Sequence, residues 1–323
     1  MIQPNVLIRA AYRFLPSQYA QQWFADIQRE LAFQTVLTFS YIGASTHHLV
    51  QTLDANQPLT PGPGSVQTRR PRPQYGTISL RDPLGNASYQ AFTAKLEKRY
   101  TQGLSFLSSY TWSHSIDDVL ETLNQTAGQG LQDNYNLSRN RGNSVFDRRH
   151  QYVASSVYDL PFGQKRKWTM PGPMDWVFGG WQMGGIVALR TGQPFTPLIS
   201  TDISNTGTAN HPDRIGNGTL PSGQRSILRW FDTAAFAIPR DFTYGNSGRN
   251  ILFGPGSKNL DLKIGKNFLF GEGKRVEFRC EMFNFTNTPN FDIPNLNVNL
   301  PQGGRITSAA SPRQIQFGLK FVY

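Results

Sequence analysis

Residues 275–282 read RVEFRCEM. The odd positions are all charged (Arg275, Glu277, Arg279, Glu281) and the even positions all apolar (Val276, Phe278, Cys280, Met282). Successive side chains of an extended chain point to opposite faces, so this spacing predicts a strand with one charged and one apolar surface. Upstream, Leu260, Leu262 and Ile264 alternate with Asp261, Lys263 and Gly265. The short stretch Phe270-Gly271-Glu272-Gly273-Lys274 separates the two segments, and together they read as a hairpin.

The same period recurs along the chain. The last ten residues, QIQFGLKFVY (314–323), carry Ile315, Phe317, Leu319, Phe321 and Tyr323 on one face. Gln90, Phe92, Ala94 and Leu96 alternate with Ala91, Thr93, Lys95 and Glu97, and a turn at Thr101-Gln102-Gly103 leads into Leu104, Phe106, Ser108, Tyr110 and Trp112. Residues 23–31, 35–43, 151–160 and 181–191 read as further strands, which brings the count to about nine.

The connections carry more information than any single strand. Turns after Leu31, Tyr100 and Phe268 are short, and 161–179 is intermediate. Stretches 44–86, 116–146, 193–258 and 287–312 are long and rich in Asn, Gly, Pro, Ser and Thr. Connections beyond about 12–15 residues are uncommon in compact soluble domains. In an outer-membrane barrel, long loops on one side and short turns on the other are the expected layout. Segments of ten residues or more also suit a tilted membrane strand, which needs about 9–11. The predicted fold is therefore all-β, an antiparallel transmembrane β-barrel segment.

Composition is consistent with this. Of 323 residues only 16% are charged, while aromatics reach 12% with Phe 22 and Tyr 12. Gly 30 and Pro 21 fit many turns and few helices. The single cysteine, Cys280, excludes an internal disulfide framework or a cysteine zinc site. The apolar run 176–189 is broken by five glycine or glutamine residues and falls short of the roughly 20 residues a membrane helix needs. The opening residues, MIQPNVLIRAAYRF, lack the charged-then-apolar pattern of a signal peptide.

A net charge of +11 and the run Arg69-Arg70-Pro71-Arg72 raise the question of nucleic acid. No helix-turn-helix, zinc-finger or RNA-binding pattern accompanies them, so no nucleic-acid partner is expected. The histidines (His47, His48, His114, His150, His211) and the acids Asp117, Asp118 and Asp147 match no nucleophile, metal or phosphate-loop motif. Strand alternation would point His47 and His48 to opposite faces. Neither an enzyme nor a cofactor is expected. Long-loop residues are the candidates for ligand contact: Arg69, Arg70, Tyr135, Arg139, Arg141, Asn205, His211 and Arg214. Their basic tilt suits an anionic ligand or lipopolysaccharide.

A soluble or cell-surface β-rich binding or adhesion module also alternates. The face at Arg275–Glu281 would meet solvent there and the lumen in a barrel, and the alternation itself fits both.

The chain resembles the C-terminal barrel portion of TonB-dependent outer-membrane receptors, especially the Oar-like group. The resemblance rests on QQWFADIQREL (21–31), TFSYIGASTHHL (38–49), SYQAFTAKLEKRYTQGLSFLSSYTWSHSIDD (88–118), FDRRHQYVASSVYDLPFG (146–163), GGWQMGGIVALRTGQPFTP (179–197), VEFRCEMFNFTNTPNF (276–291) and SPRQIQFGLKFVY (311–323), in family order. It implies an outer-membrane location and uptake of a solute powered by TonB through a plug domain. It also implies contact with lipid and lipopolysaccharide, and a C-terminal signal read by the barrel-assembly machinery at Ile315, Phe317, Leu319, Phe321 and Tyr323. Within residues 1–323 no plug, TonB box or signal peptide is visible. With about nine strands and the last ending in the periplasm, the expectation is the C-terminal part of a longer chain.

Overall fold

Alternating segments joined by tight turns pair with their chain neighbours, because each short turn returns the chain alongside the strand it has just left. The computed structural model describes residues 8–119, 131–163, 166–208, 210–270 and 274–323. It holds nine long strands: β1 (Tyr19–Leu31), β2 (Thr35–Asp54), β3 (Ile78–Thr101), β4 (Leu104–Asp117), β5 (His150–Asp159), β6 (Trp181–Arg190), β7 (Ser257–Leu269), β8 (Arg275–Phe283) and β9 (Gln314–Val322). Every one is hydrogen-bonded antiparallel to the next in chain order, an uninterrupted meander. Among the described residues no ladder joins β1 to β9, and β1 is exposed along its whole length.

Register carries one face across the sheet. Cys280 pairs with Ile264 and Phe317, Ile264 with Met183, Met183 with Tyr158, and Tyr158 with Leu104. Further along, Trp112 pairs with Phe92, Phe92 with Tyr41, and Tyr41 with Ala25. The rings of Phe39 and Phe92 stack at 5.9 Å on this face. The other face pairs Arg279 with Gly265 and Gly318, Glu281 with Lys263 and Gln316, Glu277 with Asn267 and Lys320, and Lys95 with Thr38 and Ser109. Leu107, Val153, Val157 and Ile186 are interspersed on it. The two-faced reading of 275–282 and 314–323 thus extends over the whole sheet.

Two strands overrun the expected bounds furthest. β2 continues from the predicted end at Gly43 to Asp54, and β3 begins at Ile78 rather than near Asn86. The loop between them shrinks to residues 55–77. Leu53 and Ile78 are buried where the extensions pack, so tertiary contact lengthens strands that the local sequence leaves undecided. His47 and His48 correct a second expectation. The register shifts after His47, and His48 takes a left-handed φ of 60°. This bulge turns both rings onto Tyr19, His47 stacked at 5.0 Å and His48 edge-on at 5.5 Å. The turn residues Gly271, Glu272 and Gly273 lie outside the described residues.

The principal buried apolar cluster lies in the loops. Phe195, Phe231, Ala235, Phe236 and Leu252 are buried together, with Trp230, Ile251, Leu296 and Val298 packed around them. Two chain segments build it, the connection from β6 to β7 and the one from β8 to β9. At its base Pro194–Phe195 pairs with Leu252–Phe253. A Cβ on Gly192 would lie 1.8 Å from the Gly254 carbonyl, so only glycine permits that approach.

Candidate functional site

The four long connections leave the sheet at one end: 55–77, 118–149, 191–256 and 284–313. At the other end lie the short turns 32–34 and 102–103, the folded connection 160–180, the turn 270–274 and the terminal Tyr323. The candidate site is the place where the long loops meet.

Two buried glutamine side chains join three of them. Gln57 donates to the Gln132 carbonyl at 3.0 Å and to the Thr208 hydroxyl at 3.3 Å, and its amide oxygen accepts from Asn134 N–H and Nδ2 at 2.8 and 2.9 Å. Gln132 donates to the Gly245 carbonyl at 3.0 Å and accepts from the His211 and Gly245 amides at 2.9 and 3.2 Å. An amide side chain offers donors and acceptors at once, so it can satisfy the stranded backbone groups of crossing loops. Arg249 adds a further clamp. Its guanidinium donates to the carbonyls of Asn140, Val119 and Asp117 at 2.7, 3.1 and 2.7 Å, and to the Asp117 carboxylate.

Between these loops lies a cavity of about 270 Å³, lined by Asp133, Asn136, Arg139, His211, Tyr244 and Ser247 among others. The exposed Arg139 guanidinium sits 5.7 Å from the centre of the Tyr244 ring. Burial pushes the Tyr244 hydroxyl up to about 12, so it stays a neutral donor. His211 donates through Nδ1–H to the Ser247 carbonyl at 2.9 Å, and burial pushes its pKa down, so the ring is neutral. The cavity therefore offers an accessible cation, an acid at Asp133, the neutral Tyr244 hydroxyl, a neutral imidazole whose remaining nitrogen is an acceptor, and amide groups. That set suits a polar ligand held by many hydrogen bonds and one charge contact.

The structure separates the loop candidates. Arg139 and His211 line the cavity. Tyr135 stands beside it, donating through its hydroxyl to the Gln57 carbonyl at 2.7 Å. Arg70 is buried in an ion pair with Asp54 at 2.9 Å and bonds the Asn56 carbonyl at 2.7 Å, which is a bracing role. Arg69 donates to the carbonyls of Thr60 and Asn205. Asn205 in turn, at φ 53°, donates to the carbonyls of Gly62 and Gly64 at 2.8 and 2.7 Å. Arg214 folds back on Gly216 and Asn217. Arg141 is exposed and lies apart from the cavity lining. Asp147 is buried and accepts from Ser115 N–H at 2.8 Å and Arg149 Nε at 3.0 Å, bracing the entry to β5. Gln57, Gln132, Tyr244 and Arg249 escape sequence reading because their partners are 75 to 187 residues away and no local pattern marks them.

On the charged face, Glu277 and Arg279 line a polar cleft of about 420 Å³ with Asp159, Arg166, Gln182 and Lys263. Arg275 pairs with Glu277 along the strand at 2.9 Å, and Gln316 donates to Glu281. Val276, Phe278, Cys280 and Met282 all occupy the apolar face.

A family model described as outer membrane beta barrel domain matches residues 2–316. No curated protein matches the sequence. Among solved structures, the outer membrane transporter YddB from Escherichia coli is similar at a TM-score of 0.51 and 9% identity, over 96% of this chain and 33% of that one. The ferripyoverdine receptor of the outer membrane of Pseudomonas aeruginosa gives 0.47 at 11% identity, over 96% and 28%. The FrpB iron transporter from Neisseria meningitidis gives 0.47 at 10%, over 97% and 32%. The chain spans about a third of the length of each of these proteins.

Proposed function

The chain belongs to the outer membrane β-barrel domain family and resides in the outer membrane, and on that premise we propose that it is the C-terminal part of a TonB-dependent receptor importing a solute. The observation that carries this reading is the meeting of three long loops, two of which line one polar cavity, at the end of the sheet opposite the short turns. A binding site at that position faces the medium when the short turns face the periplasm. The role is capture and passage rather than catalysis, and the energy would reach the barrel through a plug and TonB.

In this reading the apolar face, with Val276, Phe278, Cys280, Met282, Ile315, Phe317, Leu319 and Phe321, meets lipid. Arg275, Glu277, Arg279 and Glu281 face the lumen, where water or a plug solvates them. Tyr100, Tyr158, Trp181 and Tyr323 stand at the short-turn end, where an interfacial aromatic girdle belongs. Ile315 to Tyr323 supply the assembly signal. The solute is a polar, hydrogen-bonding molecule carrying negative charge at the point nearest Arg139.

Arg139→Ala tests the reading, since its guanidinium lines the cavity and, among the described residues, braces no loop through a hydrogen bond. Whole cells carrying the intact gene are offered labelled ferric siderophores, oligopeptides and oligosaccharides, with and without an uncoupler of the proton gradient. Energy-dependent uptake of one class, weakened by Arg139→Ala and lost on deletion of residues 198–250, is expected. Uptake unchanged by both alterations would reject these loops as the site.

A further inference from the structure

The connection from β5 to β6 differs from the other short-side turns. Residues 160–163 and 166–180 fold on themselves. Trp168 N–H donates to the Pro161 carbonyl at 2.9 Å, Gly163 N–H donates to the Trp168 carbonyl at 3.0 Å, and the rings of Phe162 and Trp168 lie 5.0 Å apart. A short helix, Pro173–Phe178, follows, and Gly179 N–H closes it on the Asp175 carbonyl at 2.8 Å. A Cβ on Gly179 would lie 2.9 Å from the Gly163 Cα, so the two ends of the connection meet only through glycine.

This unit is fixed to the apolar face of the sheet. Lys266 and Trp181 are register partners on that face. Lys266 donates through Nζ to the carbonyls of Trp176 and Val177, and Trp181 Nε1 donates to Val177 at 2.9 Å. The Trp176 ring stands 5.2 Å from Phe268, which shares the face. Lys266 is only 5% exposed. A lysine on the apolar side of a membrane sheet is costly unless its ammonium finds acceptors, and here the open carbonyls of the helix end supply them.

The helix turns its own apolar side chains outward. Met174, Trp176, Val177 and Phe178 are 51%, 54%, 48% and 54% exposed, and Trp168 is 52% exposed beside Lys167. Together they extend the apolar belt of the sheet outward at its short-turn rim. Aromatic and aliphatic groups with a neighbouring lysine make up an interfacial element, in which rings sit at the headgroup boundary and the amine reaches water.

We propose that residues 166–180 form a membrane-interface anchor. The helix Pro173–Phe178, hung on the apolar face by Lys266 and Trp181, inserts Met174, Trp176, Val177 and Phe178 into the headgroup–acyl boundary of the periplasmic phospholipid leaflet. The inference rests on the reading that the apolar face meets lipid. The anchor would fix the depth and tilt of β5 and β6 at the rim.

Spin labelling tests the anchor and that premise separately. Cys280→Ala provides the background, and labels are placed singly through Val177→Cys in the helix, Val187→Cys on the apolar face of β6, and Ser222→Cys in an exposed loop. The full chain is reconstituted into phosphatidylethanolamine–phosphatidylglycerol vesicles. The anchor requires the label at 177 to collide with a water-soluble nickel chelate several-fold less than the label at 222, and to collide readily with oxygen. If the 187 label reads as lipid-exposed while 177 matches 222, the anchor is refuted and the barrel reading stands. A 177 label shielded from both reagents would mean cover by protein, which also refutes it. If 187 itself collides freely with the chelate, the lipid-facing assignment falls and the anchor with it.

Discussion

Arg249 and Asp117 form an ion pair across 132 residues of chain, tying the longest loop to the end of β4. Both groups are largely buried, and the same guanidinium satisfies three backbone carbonyls. Arg249→Ala leaves a buried carboxylate without its cation and removes a hydrogen bond from each of three carbonyls, a loss of about 3–5 kcal/mol for breaking a buried pair. The loss should appear as faster amide exchange in residues 140–143 and 245–251 with the sheet unchanged. Arg249→Lys should restore only part of it, because an ammonium cannot span the same acceptors. Unaltered exchange in the alanine variant would show that the clamp is dispensable.

His211 gives the loop hub a pH dependence whose sign follows from its burial. Its folded pKa lies below the ordinary 6.5. The unfolded loop therefore binds the proton more readily, and stability rises with pH in the window between the two values. Protection of residues 131–134 and 245–248 should be full above about pH 6.5 and fall as the pH drops below it. His211→Gln keeps a hydrogen-bond donor without the titration and should flatten the profile. A profile that rises on acidification would reverse the assignment.

Phe278→Arg and Glu277→Gln separate the two faces of β8. A cation on the lipid side near the midplane costs about 2–4 kcal/mol. Glu277→Gln keeps the shape of a side chain that faces water and should cost little. Urea unfolding in vesicles, read by heat-modifiable gel mobility, measures both. Equal shifts would contradict the face assignment.

Lys266→Met removes two hydrogen bonds from the carbonyls of the helix Pro173–Phe178 and keeps a stem of similar length. A spin label at position 177 should become more mobile in this variant, while one at position 187 should not change. An unchanged spectrum at 177 would mean that Trp181 and the rim contacts hold the helix without the lysine.

The terminal strand offers a test in cells. Three aspartates appended after Tyr323 place charge where the aromatic terminus is expected to be read by the assembly machinery. Heat-modifiable protein in the outer membrane should fall sharply, and an equally long Gly-Ser extension should be tolerated better. Equal yields would reject the signal.

Alternation at 275–282 and 314–323 determined the strand type, the two faces and the meander, because strand period is a property of neighbouring residues. Loop lengths, also legible, assigned the two ends. The long sequences between strands, poor in periodic pattern, concealed a folded layer. Phe195, Phe231 and Leu252 bury one another, and Gln57, Gln132 and Arg249 exchange hydrogen bonds over 75 to 132 residues. Such partners are chosen by which loops the sheet brings together. The same holds for Arg70: its charge read as a ligand contact, and only the fold placed Asp54 2.9 Å away. Lys266 is the converse case. The local sequence marks no role for this lysine, and only the fold brought it the carbonyls of a helix 90 residues upstream. Local period fixes which way a side chain points, and tertiary proximity decides what it meets.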